Sequence, residues 1–152
     1  MTLFRLSCVA AAAALLVACG GSDDSVRGEL IDPPAVVTTL TAAQIDATTA
    51  ASGLQALSGK AKCDVKVVAL NYRTPGAKEG EMSNASGVML VPGGMCSSAA
   101  PLVANARGTE VLKTRTLANP QDGETFLLAA MYAGQGYAVV ATDYLGYAKS
   151  TY

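Results

Sequence analysis

An α/β fold built on a βαβ unit is what this sequence predicts, and three stretches predict it. Tyr137 to Gly146 (Tyr-Ala-Val-Val-Ala-Thr-Asp-Tyr-Leu-Gly) is an apolar run entered from Gly136 and closed by an acidic residue and a glycine. That is how a strand buried on both faces of a parallel sheet reads. Immediately upstream, Thr125 to Gln135 carries Phe126, Leu127, Ala130, Met131 and Ala133 at helical spacing, with Gly136 as the left-handed stop. A helix feeding a buried strand calls for a further parallel strand before it, and Pro101 to Ala106 supplies one.

A chain of 152 residues, 51% hydrophobic and 15% charged, has the composition of one globular domain. The formal net charge is -1, and no Lys/Arg cluster marks a nucleic acid or an anionic lipid surface as a partner. The count of histidines is zero. These residues therefore hold no Ser-His-Asp or Cys-His arrangement and no His-containing metal site. The 4 cysteines show no CxxC spacing and no G-x-G-x-x-G opens a helix, so neither a metal nor a nucleotide cofactor is expected.

From the N-terminus, residues 1–18 combine Arg5 with the apolar run Cys8 to Ala18 and contain no acidic residue. The run is shorter than the roughly 20 apolar residues of a membrane-spanning helix and reads as a signal peptide. Leu16-Val17-Ala18-Cys19-Gly20 resembles the lipobox of bacterial lipoproteins, which implies cleavage before Cys19 and lipid attachment to it. An ordinary secretory signal with an incidental cysteine is the alternative. Acyl chains on Cys19 would anchor the protein to a membrane, and Gly20 in place of an aspartate resembles sorting to the outer membrane. Residues 19–39, polar and rich in Gly and Pro, then read as a flexible tether, with the folded domain at 40–152.

The domain opens with Thr41 as a helix N-cap and Gln44 three residues on, a capping box, flanked by Leu40 and Ile45 as a hydrophobic staple. The helix is expected to break near Ser52-Gly53, resume over Leu54 to Leu57 and end at Gly59. Cys63 to Thr74 and Ala85 to Val91 read as strands joined by the polar loop Pro75 to Asn84, a long antiparallel hairpin. Pairing symmetric about a centre between Glu79 and Gly80 sets Asn71 opposite Val88 and Cys63 opposite Cys96. In an exported protein two such thiols tend to form a disulfide, the alternative being two free buried thiols.

This order of elements resembles the N-terminal part of the α/β-hydrolases, most closely the bacterial secretory lipase and esterase branch. The residues that carry it are Ala85-Ser86-Gly87-Val88 through Val91-Pro92, Pro101-Leu102-Val103 leading into Arg107-Gly108-Thr109, and Val140-Ala141-Thr142-Asp143-Tyr144-Leu145-Gly146 with Ser150. The resemblance implies an incomplete α/β-hydrolase fold: the antiparallel hairpin followed by the βαβ of a parallel sheet. In that family the strand matching Pro101 to Ala106 ends in a His-Gly-X turn whose backbone N–H forms half of the oxyanion hole. Arg107 stands here in place of the histidine, but a main-chain donor survives that change, so Gly108 and Thr109 are the implied oxyanion residues. A plain strand-to-loop turn is the other reading of the same tripeptide.

Tyr144 is a further candidate for a hydroxyl near the oxyanion, or else a rim-packing tyrosine. Asp143 is expected to be structural, accepting hydrogen bonds from the Leu145 to Ser150 turn. No G-x-S-x-G pentapeptide occurs, and Ser150 lies in no such elbow, so nucleophile, acid and histidine are all expected outside these residues. The resemblance thus implies an exported, lipid-anchored serine hydrolase of carboxylic esters, of which this sequence is the front part, inactive alone. The alternative is a non-catalytic envelope lipoprotein with a small α/β binding domain.

Overall fold

The computed structural model describes residues 27–96 and 98–152. The proposed signal peptide, the Cys19 lipidation site and the first part of the tether lie outside the described residues. Five strands form one mixed sheet in the order β1-β2-β3-β5-β4: β1 (Ala35–Leu40), β2 (Asp64–Pro75), β3 (Met82–Gly93), β4 (Leu102–Asn105) and β5 (Ala138–Thr142). The helices are α1 (Ala42–Ser52), α2 (Gln55–Ser58) and α3 (Gly123–Met131). The pairs β1-β2, β2-β3 and β3-β5 are antiparallel, and β4-β5 is parallel. Thus β5 is an interior strand, as expected, but it joins an antiparallel half of the sheet to a parallel one.

Residues 35–39, read above as the end of the tether, belong with Leu40 to a sheet strand. Ala-Val-Val-Thr-Thr-Leu is rich in β-branched residues, and it covers the outer edge of β2, with Leu40 opposite Val65. The Gly and Pro residues before it masked that signal. The capping box holds: Thr41 Oγ1 accepts from Gln44 N at 3.2 Å, and Gln44 Oε1 accepts from Thr41 N at 2.8 Å. Gly53 follows α1 at φ 76, the left-handed stop that glycine makes accessible. The helix before β5 starts two residues ahead of Thr125, because Asp122 caps it by accepting from Glu124 N and Thr125 N. It gives way to a 3₁₀ turn at Ala133–Gln135.

The long hairpin forms in a register two residues away from the symmetric expectation, with Asn71 opposite Ser86. The loop closes between Gly76 and Glu81, where Gly76 N donates to Glu81 O at 2.8 Å, so its centre falls one residue earlier than Glu79-Gly80. A two-residue slide keeps every side chain on its own face, and the core pattern therefore survives. Cys63 and Cys96 still form a disulfide, with Cα atoms 5.5 Å apart. The 3₁₀ turn Gly94–Cys96 carries the second cysteine back to the first.

One face of the sheet is covered by helices. Val65 and Val67 from β2, Val88 and Leu90 from β3, and Val139 and Ala141 from β5 alternate onto that face and pack with Ile45, Leu117, Leu128 and Ala133. The α3–β5 connection docks on the start of β2, where Lys62 N and Cys63 N both donate to Gly134 O at 2.7 and 3.1 Å. The βαβ unit thereby holds the carboxyl ends of β4 and β5 side by side.

Candidate functional site

Carboxyl ends of parallel strands are where open α/β sheets bind ligands. At the end of β4 stand Arg107, Gly108 and Thr109, and at the end of β5 stand Asp143 and Tyr144. Alternation continues the core-facing series of β3 to Ser86 and that of β5 to Asp143, and both residues are buried. Asp143 Oδ2 accepts from Ser86 Oγ at 2.7 Å and Thr116 Oγ1 at 2.9 Å, and Oδ1 accepts from Leu117 N at 2.7 Å. Its role as a hydrogen-bond acceptor stands, but the donors are not those of the Leu145 to Ser150 turn. That turn lies beyond the strand end, whereas the carboxylate points inward under the loop that carries Thr116 and Leu117. The turn contributes at one remove, through Lys149 N donating to Ser86 Oγ at 3.3 Å.

Arg107 is equally buried. Its Nη2 donates to Glu110 Oε2 at 2.6 Å, and Nη1 faces Asp143 Oδ1 at 3.7 Å, an ion pair too long to be a hydrogen bond. Nε and Nη1 have no hydrogen-bond partner among the described residues. Glu110 shares its carboxylate further: Oε1 accepts from Val111 N and Leu112 N at 2.7 and 2.8 Å, and Oε2 accepts from Arg115 Nη1 at 2.6 Å. The Leu112 N–H, followed by the Arg115 guanidinium, holds the Glu110 carboxyl down at about 2. Arg115 also grips Asp122 through two bonds, at 2.6 and 3.0 Å. Its hydrogen bonds keep Asp122 below the usual carboxylate range, while Asp122 first and Glu110 second push Arg115 upward. Since Asp122 is the N-cap of α3, an alternating chain Arg107–Glu110–Arg115–Asp122 clips the loop after β4 to the helix that follows it.

Gly108 and Thr109 lie exposed at the head of this loop, and neither main-chain N–H has a hydrogen-bond partner among the described residues. The Tyr144 hydroxyl donates to Arg107 O at 3.0 Å, and the Tyr147 hydroxyl donates to Glu110 O at 2.7 Å. Tyr144 sits in the left-handed region at φ 70, unusual for a side chain of its size. A cavity of about 270 Å³ adjoins the cluster, lined by Ser86, Gly87, Thr114, Thr116 and Lys149 among others. No group of three or more His, Cys, Asp and Glu suited to a metal ion occurs among the described residues. The acidic and basic members of the clip, Glu110, Arg115 and Asp122, were not singled out from the sequence. Asp122 alone had a readable local signal, an aspartate three residues before Thr125 in the predicted helix.

Strand order and an antiparallel hairpin feeding a parallel βαβ unit together define an α/β-hydrolase fold, present here in part. No family model matches the chain, and no curated protein does. Among solved structures it is similar to the rice cell wall degrading esterase LipA from Xanthomonas oryzae, at 38% identity over 83% of this chain and a TM-score of 0.69. A ligand-bound form of the same esterase aligns at a TM-score of 0.70. A hydrolase-like protein from Legionella pneumophila shares the fold at 18% identity, covering 82% of this chain and 33% of its own, with a TM-score of 0.69. The chain spans 31% of the length of the Xanthomonas esterase.

Proposed function

We propose that this chain is the front part of an exported serine hydrolase of carboxylic esters, anchored in the bacterial envelope, at the outer membrane, through lipid on Cys19. Gly108 and Thr109 supply main-chain oxyanion donors, and the nucleophile, acid and histidine come from sequence beyond these residues. The observation that carries this reading is the exposed Gly108–Thr109 turn at the end of β4, whose two N–H groups have no partner among the described residues, in a chain 38% identical over 83% of its length to an esterase. Such donors act on charge that develops in the transition state, and the buried, ion-paired Arg107 guanidinium next to them holds the turn in place beforehand.

The test uses the complete gene product in its native membrane. Hydrolysis of a chromogenic short-chain ester, together with covalent labelling by a fluorophosphonate, supports the reading. Absence of both in a folded, full-length protein removes it and leaves a non-catalytic binding domain. Metabolic labelling with palmitate, lost in Cys19→Ala together with membrane retention, tests the anchor separately.

A further inference from the structure

We infer that Tyr144 is a positioning residue: its hydroxyl sets the plane of the Arg107–Gly108 peptide and thereby the direction in which the Gly108 N–H points. The inference rests on the reading of Gly108 as an oxyanion donor. No cis peptide occurs among the described residues, and in a trans peptide the carbonyl and the N–H of one unit point in opposite directions. Arg107 O and Gly108 N belong to the same unit. The 3.0 Å bond from Tyr144 Oη to Arg107 O therefore aims the Gly108 N–H away from the tyrosine.

The unit is held at a second point as well. The Arg107 side chain is anchored below it by Glu110 at 2.6 Å and by the charge of Asp143 at 3.7 Å. Rotation of the peptide about its flanking Cα atoms would break the tyrosine bond while the guanidinium stayed in place. Gly108 itself resists no such rotation, since a Cβ built there meets nothing within 4 Å. The restraint has to come from outside the turn, and Tyr144 provides it.

Two further features support this role. Tyr144 adopts φ 70, and a strained backbone at a site persists where its surroundings over-determine it. Those surroundings are visible: Tyr144 N donates to Thr142 Oγ1 at 3.1 Å, and that hydroxyl shares a 2.6 Å hydrogen bond with Tyr72 Oη. Asp143 and Tyr144, adjacent in sequence, thus grip Arg107 by its side chain and by its carbonyl.

The experiment compares the full-length gene product with Tyr144→Phe and with 3,5-difluorotyrosine at position 144, whose phenol ionises near neutral pH. Two readouts are taken: the residual dipolar coupling of the Gly108 N–H, and kcat and KM on a chromogenic ester. Tyr144→Phe is expected to change the Gly108 coupling and to lower kcat about 10- to 100-fold with KM within about twofold, the pattern of a lost transition-state interaction. The fluorinated protein is expected to lose kcat and to shift the coupling as its phenol deprotonates, a profile that a packing role would not produce. If the coupling is unchanged in both substituted proteins, the inference is overturned. If the coupling changes but the unsubstituted protein turns over no ester, the positioning geometry stands and the hydrolase reading falls.

Discussion

Asp143 and Arg107 face each other at the joined ends of β5 and β4 with both side chains wholly removed from solvent, Nη1 and Oδ1 3.7 Å apart. Neither charge is tolerable there alone, because desolvating an ion costs several kcal/mol unless partners surround it. Asp143 accepts three hydrogen bonds, none of them from Arg107, whereas Arg107 makes one short bond, to Glu110. Removing the cation therefore leaves two carboxylates under-compensated. Arg107→Met is expected to cost about 3–5 kcal/mol by urea denaturation. The double substitution Arg107→Met with Asp143→Asn is expected to cost less than the sum of the two single ones. Strict additivity would show that the two charges do not interact.

Gly87 pairs with Thr142 across the β3–β5 contact, and a Cβ there would run into the main-chain oxygen of Ala141. Backbone cannot yield as a flexible side chain does. Gly87→Ala is expected to force the strands apart and to lower stability by about 1–3 kcal/mol, in the range of overpacked cores. Gly108→Ala, with open space around it, is expected to stay within about 0.5 kcal/mol. Thermal or urea unfolding of both variants checks the contrast.

The Cys63–Cys96 disulfide closes a sequence separation of 33 and ties the start of β2 to the turn that leads towards β4. In the chain-entropy model such a loop contributes about 3–4 kcal/mol. Replacing both cysteines by alanine is expected to lower the urea midpoint accordingly, and reductant is expected to destabilise the unsubstituted protein but not the variant.

Acid should loosen the clip. Glu110 is held at about 2, below its ordinary value of 4.5, and Asp122 is lowered in the same direction. For a carboxylate with a depressed folded-state pKa, the stabilisation is fully present above the unfolded value and disappears as pH falls through the folded one. Stability is expected to hold down to about pH 4.5 and to decline from there towards pH 2. Glu110→Gln should flatten part of that decline, which urea midpoints measured at each pH would reveal.

Legibility differed between kinds of feature. The Thr41–Gln44 box, the Gly53 and Gly136 stops and the apolar run of β5 rest on neighbours within a turn or two, and each was readable. The hairpin was readable as a hairpin, while its register was not, because the turn geometry between Gly76 and Glu81 selects it and that loop has several ways to close. Strand β1 was misread since its β-branched run follows Pro33 and Pro34. At the site, the turn residues 107–109 were readable as a position, whereas the Glu110–Arg115–Asp122 clip was not, because polar residues in a loop carry no periodicity that reports their partners.

By itself the sequence determined, β1 excepted, which segments are helix and which are strand, that two cysteines lie within reach of one another, and that a strand-end turn of Arg107, Gly108 and Thr109 follows β4. Only the tertiary structure decided that Arg107 is buried, that Asp143 takes its donors from β3 and the 116–117 loop, and that Tyr144 holds the Arg107 carbonyl. The physical reason is the range of the interactions. Capping and periodicity act within a few residues, while the pairing of a buried charge depends on which strands stand side by side and in what register.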